Sequence, residues 1–415
     1  IVLNHAANRF ASADLTSSAG RIEVFNSATG SAGTTLKADA KGSVRYTGND
    51  TVFVDAIKSG SDASGTSSDS AAVSLDATSI QAKDASAAGI TVGAGRSVWL
   101  KGAQGIGDGI NGPLRLHTGE GSVTATVQAA QAGVAIETDG DLVVPSAVAA
   151  AGASLASTGS ARRLDLHSAN VGGELQWNGF SSAALGAAAS PGGATGTISA
   201  GGGLRGTSST TDVYGRVIIG GSGTPVLMEL GQNSLIIQQN GRLDFHVVNG
   251  QSDEARAASV DFEHDSRVGV TLDAATAAST QDKDYTLVRS TSSLTGSVPV
   301  TDATANQLAL KVADGNRLLV TVPAAPVPPL PPPPPGPPGP PAPPAPPAPP
   351  GPPGPDAGGD TQPGSPSWST QPAVAFEQAF SRYADEGAVL PLTAVQESNC
   401  TGLFFDDLDD LLCTR

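Results

Sequence analysis

The runs Ser122-Val-Thr-Ala-Thr-Val127, Val134-Ala-Ile-Glu-Thr138 and Asp141-Leu-Val-Val144 follow one another with only short breaks, and a glycine stands in each break. Within them, apolar residues alternate with small or polar ones, the period of two that sends successive side chains to opposite faces of a strand. Similar runs of about 3 to 7 residues extend in both directions. Upstream they include Ile22 to Phe25, Ser43 to Tyr46, Thr51 to Ile57, Ala72 to Ala77, Ser97 to Leu100 and Leu114 to Leu116. Arg163 to Leu166 and Glu174 to Trp177 follow downstream. Gly, Asn, Asp or Ser closes each run, so the chain turns repeatedly.

This pattern suits a sandwich, a barrel or a parallel solenoid. Three features favour the solenoid. The pattern persists for some 300 residues, aromatic residues make up only 4% of the chain, and small residues flank nearly every apolar pair. A sandwich core needs several large rings, whereas stacked coils enclose a narrow lumen and bury it against their neighbours. The expected fold class is therefore all-β, a parallel β-solenoid. From Val213 the runs lengthen, as in Arg216 to Ile219, Ser234 to Gln239, Arg242 to Val248 and Leu318 to Val322. Residues 213–322 are expected to hold the terminal coils and a cap, after coils in 1–212.

Between Pro323 and Pro355 stand 22 of the 31 prolines. Each fixes φ at about −65° and removes a donor, which leaves polyproline II as the available conformation. At about 3.1 Å per residue, the run from Pro328 to Pro355 would span roughly 85 Å. Ala342, Ala345 and Ala348 fall where a collagen triple helix requires glycine, so that alternative fails. Residues 323–367 are expected to be a spacer.

Residues 368–415 change character again. Phe376, Phe380 and Tyr383 share one helical face, and Leu403 to Leu412 mixes Phe404, Phe405, Leu408 and Leu411 with four aspartates. A small helical tail is expected. Cys400 and Cys413 flank that second run and are the chain's two cysteines. Such a pair in a thiol-free, Gly- and Ser-rich chain reads as a secreted disulfide loop; two free thiols in a terminal helix are the alternative. Closing a loop of this size contributes roughly 3 kcal/mol.

The formal net charge is −16, and no Lys/Arg cluster is present, which argues against nucleic acid. No apolar stretch reaches the length of a membrane span. No initiator Met precedes Ile1, and Ile1 to Leu3 reads like the middle of a strand, so a longer chain is expected.

Gly105-Ile-Gly-Asp-Gly-Ile-Asn-Gly-Pro-Leu-Arg-Leu, with Gly121-Ser-Val-Thr-Ala-Thr-Val and Gly140-Asp-Leu-Val-Val, resembles the coils of filamentous-haemagglutinin-like exoproteins. The resemblance covers roughly residues 1–322. It implies a right-handed β-helix, the C-terminal part of a large adhesin exported by two-partner secretion and displayed outside the cell. In some members a C-terminal cysteine-closed loop holds the fibre at its outer-membrane β-barrel transporter. Cys400 and Cys413 match that hook by position, spacing and isolation. The implied partners are that transporter and a host-cell or matrix glycan or protein receptor. The alternative is a structural or autotransporter-like passenger, although about 60 residues after the prolines are too few for a barrel of its own.

Enzymatic readings are weaker, and no catalytic site or cofactor is expected. His5, His117, His167, His246 and His264 lie far apart and lack metal-ligand spacing. The glycines from Gly201 to Gly206 lack the strand-then-helix context of a dinucleotide site. The enzymatic rival, a polysaccharide-degrading β-helix, would place Asp261, Glu263 and Asp265 on one side of a strand. Asn49 and Asn399 begin glycosylation sequons.

Overall fold

The computed structural model describes residues 1–326 apart from 28–32, 108–110, 120, 189–192, 222, 297–299 and 302–307. The chain divides into two units, Ile1–Pro332 and Pro333–Arg415, and every described residue belongs to the first. The spacer beyond residue 326, the helical tail, Cys400, Cys413 and Asn399 lie outside the described residues.

The first unit is nearly all β and consists of coils that stack through parallel ladders. One ladder starts at Val2–Leu3 and runs through Ile22–Asn26, Val44–Gly48, Val73–Ala77, Arg96–Gly102 and Ser122–Ala129. It continues through Asp141–Val144, Arg163–Leu166, Ser182–Leu185, Thr210–Val213, Ser234–Ile237 and Glu254–Phe262 to Lys283–Gly296. A second ladder links Ser12–Ser17, Thr34–Ala40 and Thr51–Ser59. It proceeds by Gly89–Thr91, Leu114–His117, Val134–Thr138, Ala153–Ser157, Leu175–Asn178 and Leu204–Gly206 to Leu227–Glu229.

A third ladder branches from the end of Ser122–Ala129, so from there each coil has three sides. Its strands are Ala147–Ala149, Ala169–Val171, Thr197–Ala200, Arg216–Ile219, Arg242–Val248 and Arg267–Leu272. The parallel β-solenoid expected from the alternating runs is therefore the architecture of residues 1–296, in the sense of a β-helix-like, mostly parallel sheet.

The lumen follows from the register. One inward column runs Leu142, Leu164, Ala183, Thr211 and Leu235, apolar but for Thr211, each buried and each paired with the next. A second column is Ala153, Leu175, Leu204, Met228 and Ala255. Each fully buried Leu, Val or Met contributes about 1.5–3 kcal/mol. No coil buries these side chains alone; the coils above and below complete the enclosure.

Beyond Leu272 the pattern changes. A short helix, Ala274–Ala277, is capped by Asp273, whose carboxylate accepts from the Thr276 amide at 2.8 Å. Lys283–Gly296 then pairs antiparallel with Arg317–Val322, which also pairs antiparallel with Ala309–Ala313. These strands occupy an edge that would otherwise offer unpaired backbone. The first residues of the proline-rich stretch bond back to this end. The Ala324 amide donates to Asp282 Oδ1 and the Ala325 amide to the Ser279 carbonyl, both at 2.7 Å. Among the described residues no helix is long and apolar enough to cross a membrane.

Candidate functional site

The second ladder carries a β-bulge that shapes its outer face. Leu36 pairs with Val54 but Lys37 with Ala56, so Asp55 is an extra residue. A bulge bends its strand, and here the two halves of Thr51–Ser59 diverge. Thr51–Val54 pairs with Ser79–Ala82, while Ala56–Lys58 pairs with Gly89–Thr91. Beside the bend lies a groove of about 340 Å³, lined by Asp14, Thr16, Lys37, Ala38, Asp39, Ala56, Ile57, Lys58 and Thr91.

Two outward columns build the groove. In one, Asp14 faces Lys37, which faces Ala56. Lys37 Nζ lies 2.9 Å from Asp14 Oδ2, and that hydrogen bond raises the ammonium above its ordinary pKa. In the other column, Thr16 faces Asp39, Asp39 faces Lys58 and Lys58 faces Thr91. Asp39 and Lys58 are exposed and form no ion pair or side-chain hydrogen bond among the described residues. One cation is thus satisfied, while an ammonium, a carboxylate and two hydroxyls stand available to a ligand.

Two polar clusters are buried and have structural roles. Asp50, only 3% exposed, accepts from the Tyr46 hydroxyl at 2.8 Å and from the Thr34 hydroxyl. Asn26 donates to the Thr34 oxygen at 2.7 Å and to the Phe10 carbonyl at 3.1 Å. Burial pushes the Tyr46 phenol well up from its ordinary range. Farther along, the fully buried Asp253 accepts the amides of Val226 at 2.9 Å and His246 at 2.7 Å. His246 Nδ1 lies 3.1 Å from the same carboxylate, and this hydrogen bond raises the imidazole above its usual pKa.

The structure does not bring the sequence-predicted acids together as expected. Asp261 lies in the strand Glu254–Phe262, but that strand ends there. Glu263 and Asp265 belong to the following turn, where Asp265 has φ 61°. The three therefore do not alternate on one strand face, because a left-handed residue breaks the pleat. Asp261 accepts from the Thr295 hydroxyl at 3.0 Å, and Asp265 sits 2.8 Å from the exposed His264. Asn49 is exposed in the bend before Thr51–Ser59. Gly201–Gly203 make a turn between two strands, Thr197–Ala200 and Leu204–Gly206.

Sequence reasoning passed over the groove, since its residues are drawn from four strands spread between Asp14 and Thr91 and only register unites them. Among the described residues, no three His, Cys, Asp or Glu side chains converge as a metal ion would require. No protein-family model matches this chain, and no curated protein or solved structure does either.

Proposed function

We propose that the chain is a surface adhesin of the filamentous-haemagglutinin-like, two-partner-secreted kind, and that it works without catalysis. In this reading the parallel stack is a right-handed β-helix displayed outside the cell. Residues 323–367 form a polyproline II spacer, and residues 368–415 a small helical anchor. Cys400 and Cys413 close a loop on the periplasmic side of an outer-membrane β-barrel transporter. The periplasm is oxidising enough to form that bond.

The observation that carries the reading is the alternation along the ladders. One set of side chains fills the lumen, and the other set stays on long outer faces. Such faces give a receptor, whether glycan or protein, many adjacent coils to engage. The Pro-rich stretch and the isolated cysteine pair then account for display and retention in one chain.

The test is retention. In cells that carry the transporter, Cys400→Ser and Cys413→Ser are each expected to move the protein from the cell surface into the medium. Surface levels equal to those of the parent would remove the hook from the proposal.

A further inference from the structure

We propose that the groove beside the Asp55 bulge is a binding subsite for a carboxylated sugar unit of the uronic-acid type. Lys58 would meet the sugar carboxylate, while Asp39, Thr16 and Thr91 would meet ring hydroxyls. This inference rests on the adhesive reading only for its biological setting, because the chemistry stands on the groove itself.

The lining decides the ligand class. Lys37 is paired with Asp14 at 2.9 Å, so part of its charge is already met within the fold. Lys58 is exposed, stands directly across the ladder from Asp39, and has no ion pair among the described residues. An ammonium in this setting favours an anionic oxygen at contact distance, where a charge-assisted hydrogen bond is short and strong. A sulfated chain with two or more charges per sugar fits poorly, since the protein carries a net charge of −16 and Asp14 and Asp39 flank the lysines. A ligand with one carboxylate per unit and many hydroxyls fits both conditions.

Geometry supports the same choice. Adjacent strands stand about 4.8 Å apart, so the column Thr16, Asp39, Lys58, Thr91 presents hydroxyl, acceptor, donor and hydroxyl at regular steps. Steps of this size are close to the separation of alternate substituents on a pyranose ring. Ala56 is the apolar residue on the outer face here, since Ala38 and Ile57 turn their side chains into the lumen, so the C–H face of the ring meets one methyl and strand backbone. The volume, about 340 Å³, is at the small end of ligand sites and suits one or two sugar units. The two unlike charges of the free column also argue against a metal ion, because Lys58 stands where a second carboxylate would be needed.

Calorimetric titration of the full-length protein, with a chelator present, tests the assignment. The probes are hexamers of glucuronic, galacturonic and mannuronic acid and their carboxyl-reduced, uncharged counterparts. At least one acidic hexamer is expected to bind, and its reduced counterpart to bind about tenfold more weakly or worse. Lys58→Gln should erase that difference, and Asp39→Asn should weaken both forms. Lys101→Gln, on another ladder, should change neither. Thermal unfolding of each variant checks that the fold is retained; Lys58 is exposed, so no change is expected. Binding of no acidic hexamer, equal binding of acidic and reduced forms, or unchanged binding by Lys58→Gln would each overturn the site. Adhesion of cells that display the protein is measured separately. If Lys58→Gln cells adhere as before, the groove is not the adhesive site and the adhesin stands. Sugar binding by a chain whose cells do not adhere removes the adhesin and keeps the groove.

Discussion

At Gly206 the register decides what the residue can be. It stands next to Trp177 in the second ladder, and Trp177 next to Leu155. The indole is fully buried, and a Cβ on Gly206 would fall 2.2 Å from Trp177 Cε2. The lumen therefore fits a large ring in one coil only because the next coil supplies no side chain. Gly206→Ala is expected to destabilise the solenoid by about 1–3 kcal/mol through overpacking, seen as a lower urea midpoint. Trp177→Leu in the same chain should recover most of the loss; if the two substitutions simply add, they are not coupled. Sequence reading placed Trp177 in a strand run and Gly206 in a glycine cluster. Their contact was invisible there, because it depends on the length of the coil that separates the two register partners.

Among the elements, the apolar runs were legible and the small-residue runs were not. Val134–Thr138, Asp141–Val144, Arg163–Leu166, Arg216–Ile219 and Arg242–Val248 fall where the alternation puts them. Ala147–Ala149, Ala169–Val171 and Thr197–Ala200 each carry one large apolar residue, Val148, Val171 or Ile198, too little to show alternation, and became strands through pairing with neighbouring coils. The bulge at Asp55 was equally hidden, since an inserted residue leaves no mark on an alternating pattern without its partner strand.

Arg242–Val248 shows a further device, for it turns back through Gln251–Ser252 in a short antiparallel hairpin. Asp253 ties that hairpin through the His246 amide and ring. Because His246 titrates above its ordinary value in the fold, it adds stability that is complete below the unfolded pKa of about 6.5. That stability is lost as pH rises through the folded value. Urea midpoints measured on either side of neutral pH are expected to fall over this window in the parent. His246→Gln should flatten the fall, and an identical slope would exclude His246 as its source.

Over the whole molecule, stability is shared between neighbouring coils, so the unit of tolerated change is a complete coil. Thr211 and Leu235 are register partners in successive coils. Deleting Thr211–Ser234 would bring Leu235 under Ala183, Leu243 under Ile198 and Ala255 under Leu204, apolar on apolar each time. This shortened chain is expected to keep its β circular dichroism and to melt cooperatively. The half-length deletion Gly223–Ser234 turns the lumen set out of register and should yield aggregated or unfolded protein. If both deletions fold alike, register does not hold the stack together. The coil pattern was readable at this scale because it recurs so often, whereas the groove, which occurs where one coil departs from the pattern, was not. The regular spacing also bears on movement through a narrow passage. Each coil docks on the one before it, as Ala183 pairs with Leu164, and is covered when the next arrives, as Thr211 covers Ala183, so emerging chain would fold in order without waiting for its far end. On the proposed export route, every coil that closes would block backsliding and convert folding free energy into net forward motion, a Brownian ratchet that would draw out the chain behind it.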